Sequence, residues 1–532
     1  MERKRYRIVS AALAASLTLS MLCACSRYED MFSGGKDAAG KDTETVEETT
    51  TTTVTEAVTE PSATPSPAVT EPETTPSEDI SPAEPSLAVD TDYVRLIDGV
   101  TPEMMNADYW IGPEDYEPIM DEEGIAQYNY ENRVSIKAND DVTALPYLDV
   151  FPEKLDGSIL RTFLNDNAGS IPTNPARYYV NGHPTTWDYW NGLIALSNID
   201  KVPDVINVRF GFSTMRATLR MFPTEDRVFD GTSDKYYDEL LYSECMPYMP
   251  CAILHESTDG EYLYVVFDSY SAWVRKEAIA ICSSRYDWMD RQQVDQWLVV
   301  TAREIRLGND PYSPATTNLV LPMGTRMELV PASGAPASIN QRTTYGDYIV
   351  RIPTRGGGGF IKDEFVLIPV SDDVHVGFLP YTSANIIRQA FKLLGDRYGW
   401  GGDLQANDCT GITREIYRCF GILLPRVNQS KSKGVYKVDT SDMSTDEKLA
   451  LLEDLTPGSL ISFPGHMTIY LGTVDGTPYV ISAVGTFVAP APGSTDKIHP
   501  NSVIINSLYV RRANLSTWLD SVTTVLTIRM EE

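Results

Sequence analysis

The 532-residue chain reads as a multidomain protein in which two small all-β barrels precede an α+β domain. Three observations predict this. The length exceeds what a single hydrophobic core serves. Two stretches, "GEYLYVVFDSYSAWVRKEAIAI" (260–281) and "GDYIVRIPTRGGGGFIKDEFVLI" (346–368), share one alternating pattern. Beyond residue 380 the period changes: two amphipathic helical patterns are followed by alternating strands.

Residues 1–25 read as a leader. Arg3, Lys4, Arg5 and Arg7 precede the apolar run "IVSAALAASLTLSML", the order of a secretory signal peptide rather than of a permanent span. No later stretch is apolar for long enough to cross a bilayer. "LCAC" places Leu22, Ala24 and Cys25 as in a bacterial lipobox. That resemblance implies cleavage before Cys25 and lipid attachment to it. The expected location is therefore extracytoplasmic, anchored in the membrane and facing the wall. Residues 26–90 are dominated by Thr, Pro and Glu, with no Lys, Arg or aromatic residue after Asp42. Such a segment buries too little apolar surface to offset its ordering entropy and predicts a disordered linker. Residues 91–206, where aromatics return, form an accessory region without a motif that carries chemistry.

The two alternating stretches predict barrels over 207–283 and 296–370. Both open Gly-acid-Tyr and place an aromatic, Trp273 or Phe360, before Val or Ile, with Glu277 or Glu364 four residues later. The pattern resembles bacterial SH3 domains.

A formal charge of −30 excludes a broad nucleic-acid footprint. With five histidines and no CxxC pair, no metal site is expected. Apart from Cys23 and Cys25, five cysteines remain, so at least one thiol stays free. Cys245 and Cys251, in "CMPYMPC", are one possible pair.

In "TSANIIRQAFKLLG", Ile386, Ile387, Ala390, Phe391 and Leu394 share one helical face, and Gly395 stops the helix. The glycine-rich "GWGGDLQANDCTG" follows and leads into a second helix beginning at Cys409. Ile412, Ile416, Cys419 and Phe420 form its apolar stripe, so Cys419 faces the core. Cys409 lies off the stripe in the first turn. A helix N-terminus favours the thiolate, whereas Asp408 beside it opposes ionisation, so an activated thiol needs a histidine partner. His183, His255 and His375 lie outside this segment. His466 follows the Pro464-Gly465 break and opens an alternating strand with Thr468 and Tyr470 on its face.

"YGWGGDLQANDCTGITREIY", "LLPRVNQS" and "GSLISFPGHMTIYLG" resemble, in order, three blocks of the NlpC/p60 cell-wall cysteine peptidases. The likeness covers about residues 380–525 and implies a papain-like fold, a helix bearing the nucleophile on a sheet bearing the base. It implies that Cys409 attacks an amide carbonyl, His466 carries the proton and Tyr398 helps hold the oxyanion with the Cys409 N–H. Trp400, Asp408, Thr410 and Asn428 match positions that contact the stem peptide. Asp408 also reads as a helix N-cap, and Trp400 and Asn428 equally as wall packing and a turn. The third catalytic position, usually histidine, falls on Ser482, with His499 the less apt substitute. A two-residue turn at Asp475-Gly476 would aim Ser482 at the wrong face of the sheet; a three-residue loop with a bulge at Gly476 would restore it.

The resemblance implies an exported endopeptidase acting on peptidoglycan stem peptides at the bond from D-γ-glutamate to a diamino acid, with no cofactor. Two other readings remain: a wall-binding lipoprotein with a weak or inactive site, and an amidase or transpeptidase on the same fold.

Overall fold

The computed structural model describes residues 89–233, 235–427, 429–491 and 493–531. The expected leader, Cys25 and the linker up to residue 88 lie outside the described residues, as does Asn428. Among the described residues, no helix is long and apolar enough to cross a membrane.

Three antiparallel sheets organise the chain. The first has seven strands in the order Ile279–Ile281, Arg209–Ser213, Pro250–Glu256, Tyr262–Val266, Ser271–Arg275, Ala217–Arg220 and Leu241–Cys245. Its strand Tyr262–Val266 is buried at every position. Leu263 and Val265 face a core shared with Cys245 and Cys251, while Tyr262, Tyr264 and Val266 face Leu160 and Phe163 of the helix Gly157–Gly169. A sheet covered on both sides explains why period-2 alternation is blurred there. Cys245 and Cys251 are both buried and carry free thiols.

The second sheet runs Ile361–Pro369, Asp347–Arg355, Arg326–Leu329, Trp297–Val300 and Val374–Val376. His375 sits in its last strand opposite Val299. The two aromatics aligned by the sequence repeat take different places. Trp273 is fully buried, whereas Phe360 is 56% exposed and its backbone bridges Ile281 of the first sheet.

The third sheet has six strands: Val435–Asp439, Thr524–Met530, Leu460–Phe463, His466–Val474, Thr477–Val484 and Ser502–Ser507. Met467, Ile469, Ile481 and Ala483 face the helices Ser383–Lys392 and Cys409–Arg418. Tyr470, Val480 and Val484 face the opposite side, where Leu452 and Trp518 pack. The expected helix over 382–395 ends at Lys392 with Leu393 as its cap, and Gly395 adopts the left-handed conformation (φ 85°) that the stop requires.

Residues 91–206 divide among three cores. Met104, Trp110 and Tyr128 join the core of the third sheet, where the Tyr479 hydroxyl donates to Gly99 O at 2.6 Å. Ala138, Leu155, Phe163 and Ile206 pack on the first sheet, whereas Trp190 and Leu193 pack with Phe222 and Val228 in a separate cluster.

Candidate active site

The loop ahead of Cys409 is bent by residues that tolerate positive φ, Gly401 at 62° and Gly402 at 93°. A Cβ on Gly402 would also collide with the Glu244 carboxyl of the first sheet. The loop is thus pressed against the strand Leu241–Cys245, and its shape depends on two separate segments.

Asp408 caps the helix Cys409–Arg418. One of its oxygens accepts from Gly411 N–H at 2.8 Å and from Thr410 Oγ1 at 3.2 Å; the other accepts from Gly401 N–H at 3.0 Å. The side chain is 0% exposed, and its charge is met by Arg426, itself 2% exposed. Arg426 also donates to Thr410 Oγ1 and, at 2.9 Å through Nε, to Ser243 Oγ of the first sheet. Arg426 stands within "LLPRVNQS", where the sequence alone assigns it no role. Its signal was an arginine with no neighbouring acid, whose partner lies across the fold.

Cys409 is buried at the first turn, in the same apolar cluster as Met467, Ile481 and Ala483. Its helix packs on the strands His466–Val474 and Thr477–Val484. At the mouth of the first strand, His466 Nε2 shares a hydrogen bond with Ser482 Oγ at 3.0 Å. The imidazole lies against Phe463 (5.3 Å between ring centres) and Trp518 (4.8 Å), neither of which was anticipated. A tryptophan over this bond limits access of water to it.

Ser482 reaches this position by an unexpected route. The hairpin does turn in two residues, with Val474 opposite Thr477 and Asp475 and Gly476 both left-handed. The extra residue is Leu471: Tyr470 pairs with Val480 and Gly472 with Tyr479, leaving Leu471 between them. A single bulge inverts the facing of everything beyond it. Ser482 consequently shares a face with His466: of the two alternatives the two-residue turn is adopted, and the restoring bulge lies not at Gly476 but five residues earlier. His499 is exposed and bonded to Thr486 Oγ1 at 2.9 Å, apart from the His466–Ser482 bond.

Tyr398 is buried beside the same loop. Its N–H donates to Asn501 O at 2.8 Å, and it bridges Asn407 in parallel fashion. Tyr237, from the loop after the strand Val228–Asp230, stands 6.3 Å from the Tyr398 ring and 5.2 Å from Trp400. A Cβ on Gly485 would strike the Tyr237 hydroxyl. These aromatics form a wall to which the loop between the strands Val228–Asp230 and Leu241–Cys245 contributes.

Residues 395–523 match the NlpC/P60 family model. The site lies in an NlpC/P60 domain. Residues 227–275 match an SH3 domain of the SH3b1 type, within the first sheet. The fold is similar to that of a solved structure described as a novel NlpC/P60 endopeptidase from Photobacterium damselae subsp. piscicida. The identity is 17%, over 82% of this chain and 99% of that one, with a TM-score of 0.63. An NlpC/P60 family protein from Bacillus cereus aligns over 60% of this chain and 99% of its own, at 17% identity and a TM-score of 0.41. No curated protein matches the chain. NlpC/P60 is a family of cysteine hydrolases with a cell-wall peptidase type of fold.

Among the described residues, the other thiols are poor nucleophiles. Burial pushes Cys245, Cys282 and Cys419 up to about 12, and Cys251 well above the usual thiol range. On the helix of the NlpC/P60 domain that begins at Cys409, Glu415 is 2% exposed. Burial raises its carboxyl to about 7; Arg216 and Arg418 oppose the rise and Glu244 adds to it. A carboxyl raised on folding stabilises the fold fully below its unfolded value of 4.5, and that contribution is lost as pH rises through about 7. Urea midpoints should therefore decline from pH 5 to pH 7.5, and less steeply in Glu415→Gln.

Proposed function

We infer that the protein is an exported, lipid-anchored peptidoglycan endopeptidase that cuts stem peptides between D-γ-glutamate and a diamino acid. The observation that carries this reading is a thiol at a capped helix N-terminus above a strand whose first residue, His466, is hydrogen-bonded to Ser482. The NlpC/P60 and SH3b matches agree with a peptidoglycan substrate. Cys25 and the charged leader support export and lipid anchoring on sequence grounds.

In this mechanism His466 takes the proton of the Cys409 thiol, the sulfur bonds to the γ-carbonyl carbon of D-glutamate, and the carbonyl π electrons move onto oxygen. Tyr398 and the Cys409 N–H stabilise that oxyanion. His466 delivers a proton to the departing amine as the C–N bond breaks, leaving a thioester. Water then attacks the thioester with His466 as base, releasing the acid and the thiol. Asp408 and Thr410 support the site from within the buried network, and Trp400 walls the cleft beside Tyr237. A cleft narrowed by Tyr237 suits short, trimmed stems better than cross-linked wall.

Ser482 orients the imidazole without charge. A cysteine nucleophile depends less on such a partner than a serine would. Ser482→Ala should lower kcat/KM by about tenfold, read from initial rates, and leave the site of cleavage unchanged.

The test is to incubate the full chain in detergent with purified muropeptides and identify products by mass spectrometry. New fragments ending in D-glutamate support the reading. A different bond cut, or transfer to an added amine, favours amidase or transpeptidase chemistry. No cleavage of long or trimmed stems favours a wall-binding scaffold.

A further inference from the structure

Arg216 belongs to the first sheet, immediately before the strand Ala217–Arg220, yet its guanidinium ends inside the NlpC/P60 domain. Nη2 donates to Ala406 O at 2.9 Å and to Asn407 Oδ1 at 3.2 Å. Glu244 chelates the same group, accepting from Nε at 2.5 Å and from Nη2 at 3.0 Å. Glu415 Oε1 lies 3.7 Å from Nη1. Both carboxylates are buried, so the guanidinium is held from two sides.

The two acceptors on the far side are the residues leading into the Asp408 cap. The Asn407 carbonyl accepts from Gly399 N–H at 3.0 Å, and Asn407 bridges Tyr398. Its side-chain oxygen also sits 3.0 Å from where a Cβ on Gly411 would be, against the first helical turn. The Ala406–Asn407 peptide therefore joins Tyr398 on one side to Cys409 on the other. Whatever fixes that peptide fixes the separation between them.

We propose that Arg216 is a positioning residue: it sets the Ala406–Asn407 peptide and thereby the spacing of the Cys409 thiol from the Tyr398 oxyanion donor. The SH3b-bearing sheet is then part of the hydrolytic site rather than a separable targeting module. The role assigned to Cys409 and Tyr398 rests on the proposed function. Arginine suits the task because its planar fork serves carboxylate and carbonyl acceptors at once, which a lysine ammonium cannot do in the same geometry.

The experiment uses the full chain carrying Arg216→Lys, and separately the charge-balanced pair Arg216→Met with Glu244→Gln, which removes the carboxylate that chelates the guanidinium. Three quantities are read: kcat and KM on the muropeptide cleaved by the parent, the rate of Cys409 alkylation by iodoacetamide from pH 5 to 9, and thermal melting. Misplacement of a reacting group by about 1 Å costs about a hundredfold. The expected result is a kcat lower by about that factor, with KM changed less than about twofold. The alkylation profile should shift relative to the parent, and Lys should not restore kcat. A folded variant with parental kcat overturns the proposal. If neither variant folds, Arg216 is a folding residue and the proposal is equally overturned. Should the parent hydrolyse nothing, the proposed function fails by itself, and an alkylation profile identical to the parent's would separately overturn the role of Arg216.

Discussion

Cys409→Ala should reduce peptide hydrolysis by more than about a thousandfold while leaving the melting temperature nearly unchanged. The thiol is the only one of the five described cysteines that stands in the first turn of a helix; the other four, Cys245, Cys251, Cys282 and Cys419, have their ionisation raised by burial. None of them can take over the chemistry. Loss of one sulfur from the first turn leaves the apolar stripe of Ile412, Ile416 and Phe420 intact and keeps the Asp408 cap. A cost of about 1 kcal/mol is expected, of the order of removing one buried methylene-sized group. Initial rates on a defined muropeptide, beside circular dichroism of both proteins, check the two halves of this expectation.

Arg426→Met should be the most destabilising single change near the site. Asp408 has no exposed surface, and Arg426 is its charged partner as well as the donor to Thr410 and Ser243. Removing one member of a buried ion pair strands the other and costs about 3–5 kcal/mol. The loss should appear as a lower urea midpoint with an unchanged slope. Adding Asp408→Asn, which removes the stranded charge and keeps a capping oxygen, should recover most of it. If Arg426→Met alone left the midpoint unmoved, the Asp408 network would not be holding the helix start.

Much of the site could be read from sequence because it is locally encoded. The glycines before Cys409, the Asp408 cap and the turn at Pro464-Gly465 each act within a few residues. The apolar stripes of Ser383–Lys392 and Cys409–Arg418 face the third sheet as their periodicity required. What escaped depends on distant pairing. Arg216 finds Ala406–Asn407 some 190 residues away, and Arg426 joins Asp408, across the cleft loop and helix, to Ser243 some 180 residues away; no pattern within a turn or two marks either. The bulge at Leu471 is flanked by Gly472 (φ 148°), but a single glycine inside a strand does not fix the register, so the facing of Ser482 could be posed only as alternatives. Trp518 lies in a four-residue helix beyond the strands, and its cover over His466 follows from the topology alone.

The central claim is that Cys409 becomes acylated. The most direct measurement is to mix the full chain with a muropeptide bearing an uncut stem, quench in acid within one turnover and determine the intact protein mass. An added mass equal to the D-glutamate-terminated fragment less water, mapped to Cys409 and absent from Cys409→Ala, is the predicted result. An adduct on another residue, or hydrolysis that persists in Cys409→Ala, would contradict it.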